Sequence, residues 1–182
     1  MVEARRYLVA VAAWIVCCAA AGAETLRYWV DPCTNPETGC LKGDPDLAQW
    51  ALEAWAAASD GKLKFETAAG PEQAQIRIHW VTPREGLYGE ARGGDVYVRP
   101  DGGQGLLRET VTYLTCLHET GHALGLSHTS EFADIMYNFQ FGGDITEYFG
   151  RYRRKLTRRE DIRKNSGLSE SDKRRLVKLF AK

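Results

Sequence analysis

The sequence predicts an α+β domain in which a twisted mixed sheet of about five strands packs against helices. Residues 63–67 and 74–80 alternate apolar and polar side chains, as half-buried strands do. Residues 47–58 instead repeat apolar side chains at helical spacing, and a longer helical segment carries two histidines four residues apart. These patterns lie within residues 24–182, which is enough chain for one domain with a sizeable core.

Residues 1–23 are predicted to be a cleavable signal peptide. Two arginines precede a mostly apolar run that is too short to span a membrane comfortably. The small residues at its end predict cleavage between Ala23 and Glu24, which would deliver the protein to the periplasm or outside the cell. A retained membrane anchor, or lipoprotein processing at Cys17 or Cys18, stays as an alternative.

Cys33 and Cys40 enclose a turn-rich segment near the start of the mature chain. Because export implies an oxidising compartment, we predict that they form a disulfide. Closing such a short loop stabilises the fold by about 2–3 kcal/mol in the chain-entropy model. Cys116 lies inside the histidine-bearing helix and is predicted to be a small buried side chain.

The remaining elements follow from periodicity and from turn residues. Asp44 is predicted to cap the helix that backs the sheet, and that helix ends near residues 60–61. His79 lies on the polar face of the third strand, where a structural role is favoured. The predicted strands occupy residues 26–30, 63–67, 74–80, 86–92 and 95–99, and the two later helices occupy residues 107–124 and 167–181.

The helical segment before Gly125 carries the pattern of a metal site. His118 and His122 lie one turn apart on the same helix face, about 6 Å apart along the axis. Gly125 can adopt a left-handed conformation that ends the helix, so that His128 returns as a third imidazole. Three neutral imidazoles with an open fourth position are typical of catalytic rather than structural zinc. Glu119 follows the first ligand directly and can reach a metal-bound water.

The histidine motif is followed shortly by Met136. The pattern HExxHxxGxxH and then methionine resembles the metzincin metallopeptidases. Residues 122–128 and 135–137 are most similar to the matrixins, the matrix-metalloproteinase type, and the resemblance covers residues 26–137 and 167–181. It implies a metzincin/zincin-like catalytic domain with a zinc helix, a backing helix and a C-terminal helix. We expect the minimal form, without a pro-segment or an accessory domain.

The resemblance implies a secreted zinc-dependent endopeptidase. One catalytic Zn²⁺ held by His118, His122 and His128 would activate a water that hydrolyses the peptide bond. Glu119 would act as general base, and Met136 would form an apolar floor beneath the metal without binding it. A second zinc is not expected, because the chain lacks the histidines for it; structural calcium is left open, with no evident site.

The family also implies where a peptide or protein substrate would bind. In the family, one edge strand of the sheet borders the cleft and can pair with an extended peptide. The corresponding strand of this chain contains the predicted substrate contacts Leu87, Tyr88, Gly89 and Glu90. The segment after the methionine forms a wall on the side downstream of the cut, and here it contains Tyr137, Asn138 and Phe139. Matrixins usually have proline where Asn138 stands, so the path of this wall is left open.

Residues 138–166 form a basic insert that is longer than the corresponding family segment. Residues 24–150 carry a net charge of −10, whereas residues 151–182 carry +9. This basic stretch is predicted to bind an anionic surface or an acidic substrate, or else to pair with the acidic body. We expect a monomer without specific nucleic-acid binding. The alternative function is a zinc-bound interaction protein whose basic stretch binds an anionic surface, with little or no turnover.

Overall fold

The computed structural model describes residues 22–83 and 88–181. Its strands are β1 (Glu24–Val30), β2 (Leu63–Thr67), β3 (Ile76–Trp80), β4 (Gly89–Arg92) and β5 (Asp95–Val98). They form one sheet in the order β2-β1-β3-β5-β4, with parallel pairs except for the antiparallel β4–β5 pair. The predicted mixed sheet of five strands is therefore confirmed. Most of the predicted signal peptide, residues 1–21, lies outside the described residues.

The helices are α1 (Asp44–Ala58), α2 (Gly105–Ala123), α3 (Ile145–Arg153), α4 (Glu160–Lys164) and α5 (Glu170–Leu179). α1 and α2 pack together as the backing helix and the histidine-bearing helix. Trp55 of α1 is fully buried, and its indole N–H donates to the Leu117 carbonyl of α2 at 2.9 Å. None of the helices within the described ranges combines the length and apolar character that a membrane span requires.

Alternation along the strands separates a buried face of the sheet from a half-exposed one. Ile76 and Ile78 are buried, whereas Arg77 and His79 between them remain partly exposed. Asp95 on the neighbouring strand accepts two hydrogen bonds from Arg77, at 2.6 and 2.8 Å, and lies 3.1 Å from the His79 ring. The hydrogen bonds from Arg77 lower the pKa of Asp95 to about 2. His79 thus belongs to a cluster of polar side chains that joins two neighbouring strands.

The start of α1 differs from its prediction. Gly43, and not Asp44, is the N-cap residue, and Asp44 is the first residue of the helix. Its carboxylate instead accepts the Leu41 N–H at 2.9 Å and two hydrogen bonds from Arg108, each 2.7 Å long. These partners occupy both carboxylate oxygens, which explains why the side chain does not cap the helix.

The Arg108–Asp44 pair is buried and joins three parts of the chain. Arg108 lies in the first turns of α2 and Asp44 begins α1, and their side chains are 6% and 2% exposed. Arg108 also donates to the Gly39 carbonyl at 3.1 Å, inside the loop that the Cys33–Cys40 disulfide closes. The structure contains this predicted disulfide, and Cys116 is buried as a free thiol.

The insert at residues 138–166 is a packed part of the domain. It contains α3 and α4, and its aromatic side chains Tyr148, Phe149 and Tyr152 are buried. α5 follows as the predicted C-terminal helix, with Ser169 as N-cap in a reciprocal capping box with Asp172.

Several basic side chains of the C-terminal stretch pair with acidic residues. Arg159 lies 3.1 Å from Glu109 and 3.3 Å from Asp46, and its guanidinium covers the Trp50 ring. Arg163 lies 2.7 Å from Glu53 of α1. Part of the basic charge therefore neutralises the acidic body, as one of the two alternatives predicts. Binding to an anionic surface stays a prediction.

Candidate metal centre

Three histidine side chains converge at the C-terminal end of α2. His118 and His122 lie in its last two turns, and Gly125 has a φ of 97°, which lets the chain leave the helix. His128 then returns, so that its Nε2 atom lies 3.2 Å from His118 Nε2 and 3.0 Å from His122 Nε2. The third side of this triangle, between His118 and His122, is 3.1 Å.

Backbone carbonyls fix the orientation of two of these rings. His118 Nδ1 lies 2.7 Å from the Ile135 carbonyl oxygen, and His122 Nδ1 lies 2.8 Å from the Leu126 carbonyl oxygen. A carbonyl can only accept a hydrogen bond, so each Nδ1 carries the proton and each Nε2 presents its lone pair. Two inward lone pairs only 3.1 Å apart create a position that favours a cation.

Burial favours the neutral form of His118 and His128. It lowers the pKa of His118 to about 4, because the charged ring would lose its hydration. Burial also lowers the pKa of His128, and the neighbouring His122 adds to that effect. Neutral rings at physiological pH are the form that binds a metal ion.

The donor set fits zinc. Tetrahedral Zn²⁺ with Zn–N bonds of about 2.0–2.1 Å would place neighbouring nitrogens roughly 3.3 Å apart. The observed Nε2 separations of 3.0–3.2 Å are close to this value. Within the described residues, His118, His122 and His128 are also the one group of three or more potential ligand side chains whose donor atoms converge. Three imidazoles leave a fourth position for water or substrate.

Met136 lies beneath the histidine-bearing end of α2. Its side chain is fully buried, and a Cβ atom at Gly121 would collide with its sulfur. Asp172 of α5 accepts the backbone N–H groups of Ile135 at 2.8 Å and of Met136 at 3.4 Å. The turn that carries the methionine is therefore held between α2 and α5.

Glu119 is buried beside the centre without joining the converging group. Its side chain is 7% exposed, and burial raises its pKa to about 7, with a further contribution from the charge of Glu90. It faces the same cavity as His118 and His128. A carboxylate in this position can accept a proton from a molecule that lies between it and the histidines.

The cavity beside the histidines has a volume of about 500 Å³. It is lined by Tyr88, Gly89, Leu114, Thr115, His118, Glu119, His128, Tyr137, Asn138, Phe139, Gln140, Tyr148 and Phe149. Of the predicted substrate contacts, Glu90 is not among these lining residues. It lines an adjoining cavity of about 260 Å³, which shares Tyr88 and Gly89 with the first, and its carboxylate accepts from Arg92. Leu87 lies outside the described residues.

Tyr148 and Phe149 from α3 form a wall that the sequence did not reveal. The Tyr148 hydroxyl donates to the carbonyls of Ile135 at 3.0 Å and Asp134 at 3.2 Å, which fixes α3 against the methionine turn. The family resemblance does not cover residues 138–166, so it offered no template for this contact. Leu114 and Thr115 were also missed, although they precede His118 by one helical turn and so share its face.

Gly89 of β4 lies directly against Glu119. A Cβ atom at this position would lie 2.7 Å from Glu119 Cγ and 2.9 Å from Thr115 Cγ2, which is closer than side chains tolerate. Since Thr115 is β-branched and stiff, the flexible Glu119 side chain would have to move.

We therefore expect Gly89→Ala to displace Glu119. A displacement of about 1 Å at a reacting group costs up to roughly 100-fold in rate, so for the endopeptidase that the sequence predicts, turnover of a peptide substrate should fall by about 10- to 100-fold. Zinc content, measured on the same preparation, should be unchanged. Gly102→Ala is the matched control, because nothing lies within 4 Å of a Cβ atom there. Equal turnover in the two variants would contradict this role of Gly89.

The comparisons with known proteins concern the fold alone. The chain matches no protein-family model, and no curated protein matches it in sequence. Among solved structures it is similar to the crystal structure of an archaemetzincin from Methanopyrus kandleri, with 13% sequence identity and a TM-score of 0.48. That alignment covers 90% of this chain and 98% of the archaemetzincin.

Proposed function

We propose that this protein is a zinc-dependent endopeptidase of the metzincin type, with the matrixins as the most similar members. The observation that carries the proposal is the convergence of three histidine Nε2 atoms, 3.0–3.2 Å apart, beside a cavity that also contains a buried glutamate. We include export in the proposal, with cleavage between Ala23 and Glu24. N-terminal sequencing of the exported protein tests that step.

His118, His122 and His128 would hold the zinc ion. When bound, zinc supplies a Lewis acid that polarises the scissile carbonyl and lowers the pKa of water toward neutrality. Glu119 accepts the proton of the attacking water and then donates it to the leaving amine. Because Glu119 is buried, little solvent competes for the transferred proton.

The edge of the sheet offers a place for an extended peptide. β4 pairs with β5 on one side, and within the described residues no further strand covers its other side. An extended substrate can therefore add to this edge by main-chain hydrogen bonds. Gly89 carries no side chain toward Glu119, which lets the peptide backbone come close to the carboxylate.

A zinc-bound interaction protein without turnover is the alternative. The position of Glu119 argues against it, because a protein that only binds zinc has no use for a buried carboxylate in the same cavity as His118 and His128. Turnover decides between the two functions.

The test measures zinc content and peptide cleavage together. We expect the mature protein to bind one zinc ion and to cleave internal bonds in a peptide library. Removing zinc with a chelator should abolish cleavage, and adding one equivalent of zinc should restore it. A zinc-loaded, folded protein that cleaves no peptide in the library would favour the interaction protein.

A further inference from the structure

Two side chains of α3 bind a run of four successive backbone carbonyls that leads to Met136. Arg151 donates to the carbonyl of Phe132 and, at 3.3 Å, to that of Ala133. The Tyr148 hydroxyl shares its proton between the next two carbonyls of the chain, at 3.2 and 3.0 Å. All four carbonyls therefore accept hydrogen bonds from one helix of the insert.

The N–H groups of the same turn are held by α5. Asp172 accepts those of Ile135 at 2.8 Å and of Met136 at 3.4 Å. They belong to the same two peptide groups whose carbonyls, those of Asp134 and Ile135, accept from Tyr148. Because a trans peptide group is planar, its N–H and C=O bonds point in opposite directions. The buried side chains of Tyr148 and Asp172 thus hold two successive peptide groups from opposite sides.

The second of these peptide groups also contacts the metal centre. The Ile135 carbonyl oxygen lies 3.0 Å from the Tyr148 hydroxyl and 2.7 Å from His118 Nδ1. A carbonyl oxygen has two lone pairs, and here each of them has a partner. The direction of this carbonyl determines how the His118 ring is turned, and outer contacts of this kind affect metal affinity.

We propose that Tyr148 is a positioning residue for the metal centre and acts through the methionine turn. Its hydroxyl fixes the Ile135 carbonyl, and this carbonyl fixes the ring of His118. Arg151 supports Tyr148, because its guanidinium covers the tyrosine ring at 4.4 Å. The insert is then a working part of the metal centre and not an addition to a complete domain. The proposal rests on the zinc site of the proposed function.

Tyr152 provides the comparison that separates this role from simple stabilisation of α3. It lies one turn later in the same helix and is also buried. Its hydroxyl likewise donates to two carbonyls, those of Asn165 and, at 3.3 Å, of Ile162, and both lie within the insert. Loss of either hydroxyl removes similar hydrogen bonds, but only the Tyr148 hydroxyl binds the methionine turn.

The experiment compares Tyr148→Phe with Tyr152→Phe. Both substitutions keep the ring and remove the hydroxyl, so the melting temperature should fall by a similar amount, about 2–4 °C. Zinc dissociation constants are measured by competition with a chromogenic chelator. Loss of a direct partner of a ligating histidine weakens metal binding by about 10- to 100-fold, and Tyr148 acts one step further away. We therefore expect zinc to bind about 3- to 10-fold more weakly to Tyr148→Phe, and within about two-fold of the native affinity to Tyr152→Phe.

The visible absorption of bound Co²⁺ supplies a measurement that a change in stability does not move. These bands depend on how the ligands are arranged around the ion. They should shift in Tyr148→Phe and coincide with those of the native protein in Tyr152→Phe.

Two results would overturn the role of Tyr148 alone: native zinc affinity and cobalt spectrum in Tyr148→Phe, or an equal loss of zinc affinity in both variants. A native protein that binds no zinc would instead overturn the proposed function, and the role of Tyr148 with it.

Discussion

Glu119→Gln is expected to lower peptidase turnover by about 10²- to 10⁴-fold, the range typical of general acid–base catalysis, while the protein still binds one zinc ion. Glutamine has nearly the shape of glutamate and fits the same buried position beside Gly89. It cannot accept the proton of the attacking water. Because the side chain is not one of the converging ligands, the metal should remain. Zinc content and the turnover number should be measured on one preparation.

Glu131→Gln is the matched control for this substitution. Glu131 is exposed and outside the residues that line the cavity, so neutralising it should leave turnover within about two-fold, as for most surface changes. Two outcomes would refute the role of Glu119: loss of zinc from Glu119→Gln, or retention of more than about a tenth of the native turnover.

The predicted features that the structure contains are mainly those set by local spacing. His118 and His122 share a helix face because they are four residues apart, and Gly125 ends that helix with a positive φ. The strands follow from alternation, as in β3, where buried and half-exposed residues alternate strictly. Each of these features depends on neighbours within a few residues, which the sequence displays directly.

The features that were missed depend on partners far away in the chain. Aspartate is a common N-cap residue, but the carboxylate of Asp44 accepts hydrogen bonds from Arg108, which lies 64 residues later in the chain. The sequence does not indicate that Tyr148 and Phe149 lie beside the metal centre, because their position depends on how the insert packs against the methionine turn. No pattern in the sequence reports such pairings. The same holds for Asn138, which lies 3.2 Å from the His128 ring beside the isolated bridge between Thr129 and Tyr137.

The second large effect is expected on stability. Asp44→Ala should lower the free energy of unfolding by about 3–5 kcal/mol, because it leaves the buried Arg108 guanidinium without its anion. This is a large part of the roughly 5–15 kcal/mol that stabilises a typical domain. Urea denaturation should show a lower midpoint with an unchanged slope, provided that unfolding stays two-state.

Asp46→Ala is the matched control for Asp44→Ala. Asp46 lies in the same first turn of α1, but it is exposed and its partner Arg159 is only half-buried, and pairs near the surface contribute about 1 kcal/mol or less. The double variant Asp44→Ala with Arg108→Leu removes both charges and should regain most of the lost stability, since the cost lies mainly in the unpaired buried cation. If Asp44→Ala unfolds at the same urea concentration as Asp46→Ala, the buried pair does not hold α1 to α2. A double variant no more stable than Asp44→Ala would instead show that packing, and not the unpaired charge, sets the cost.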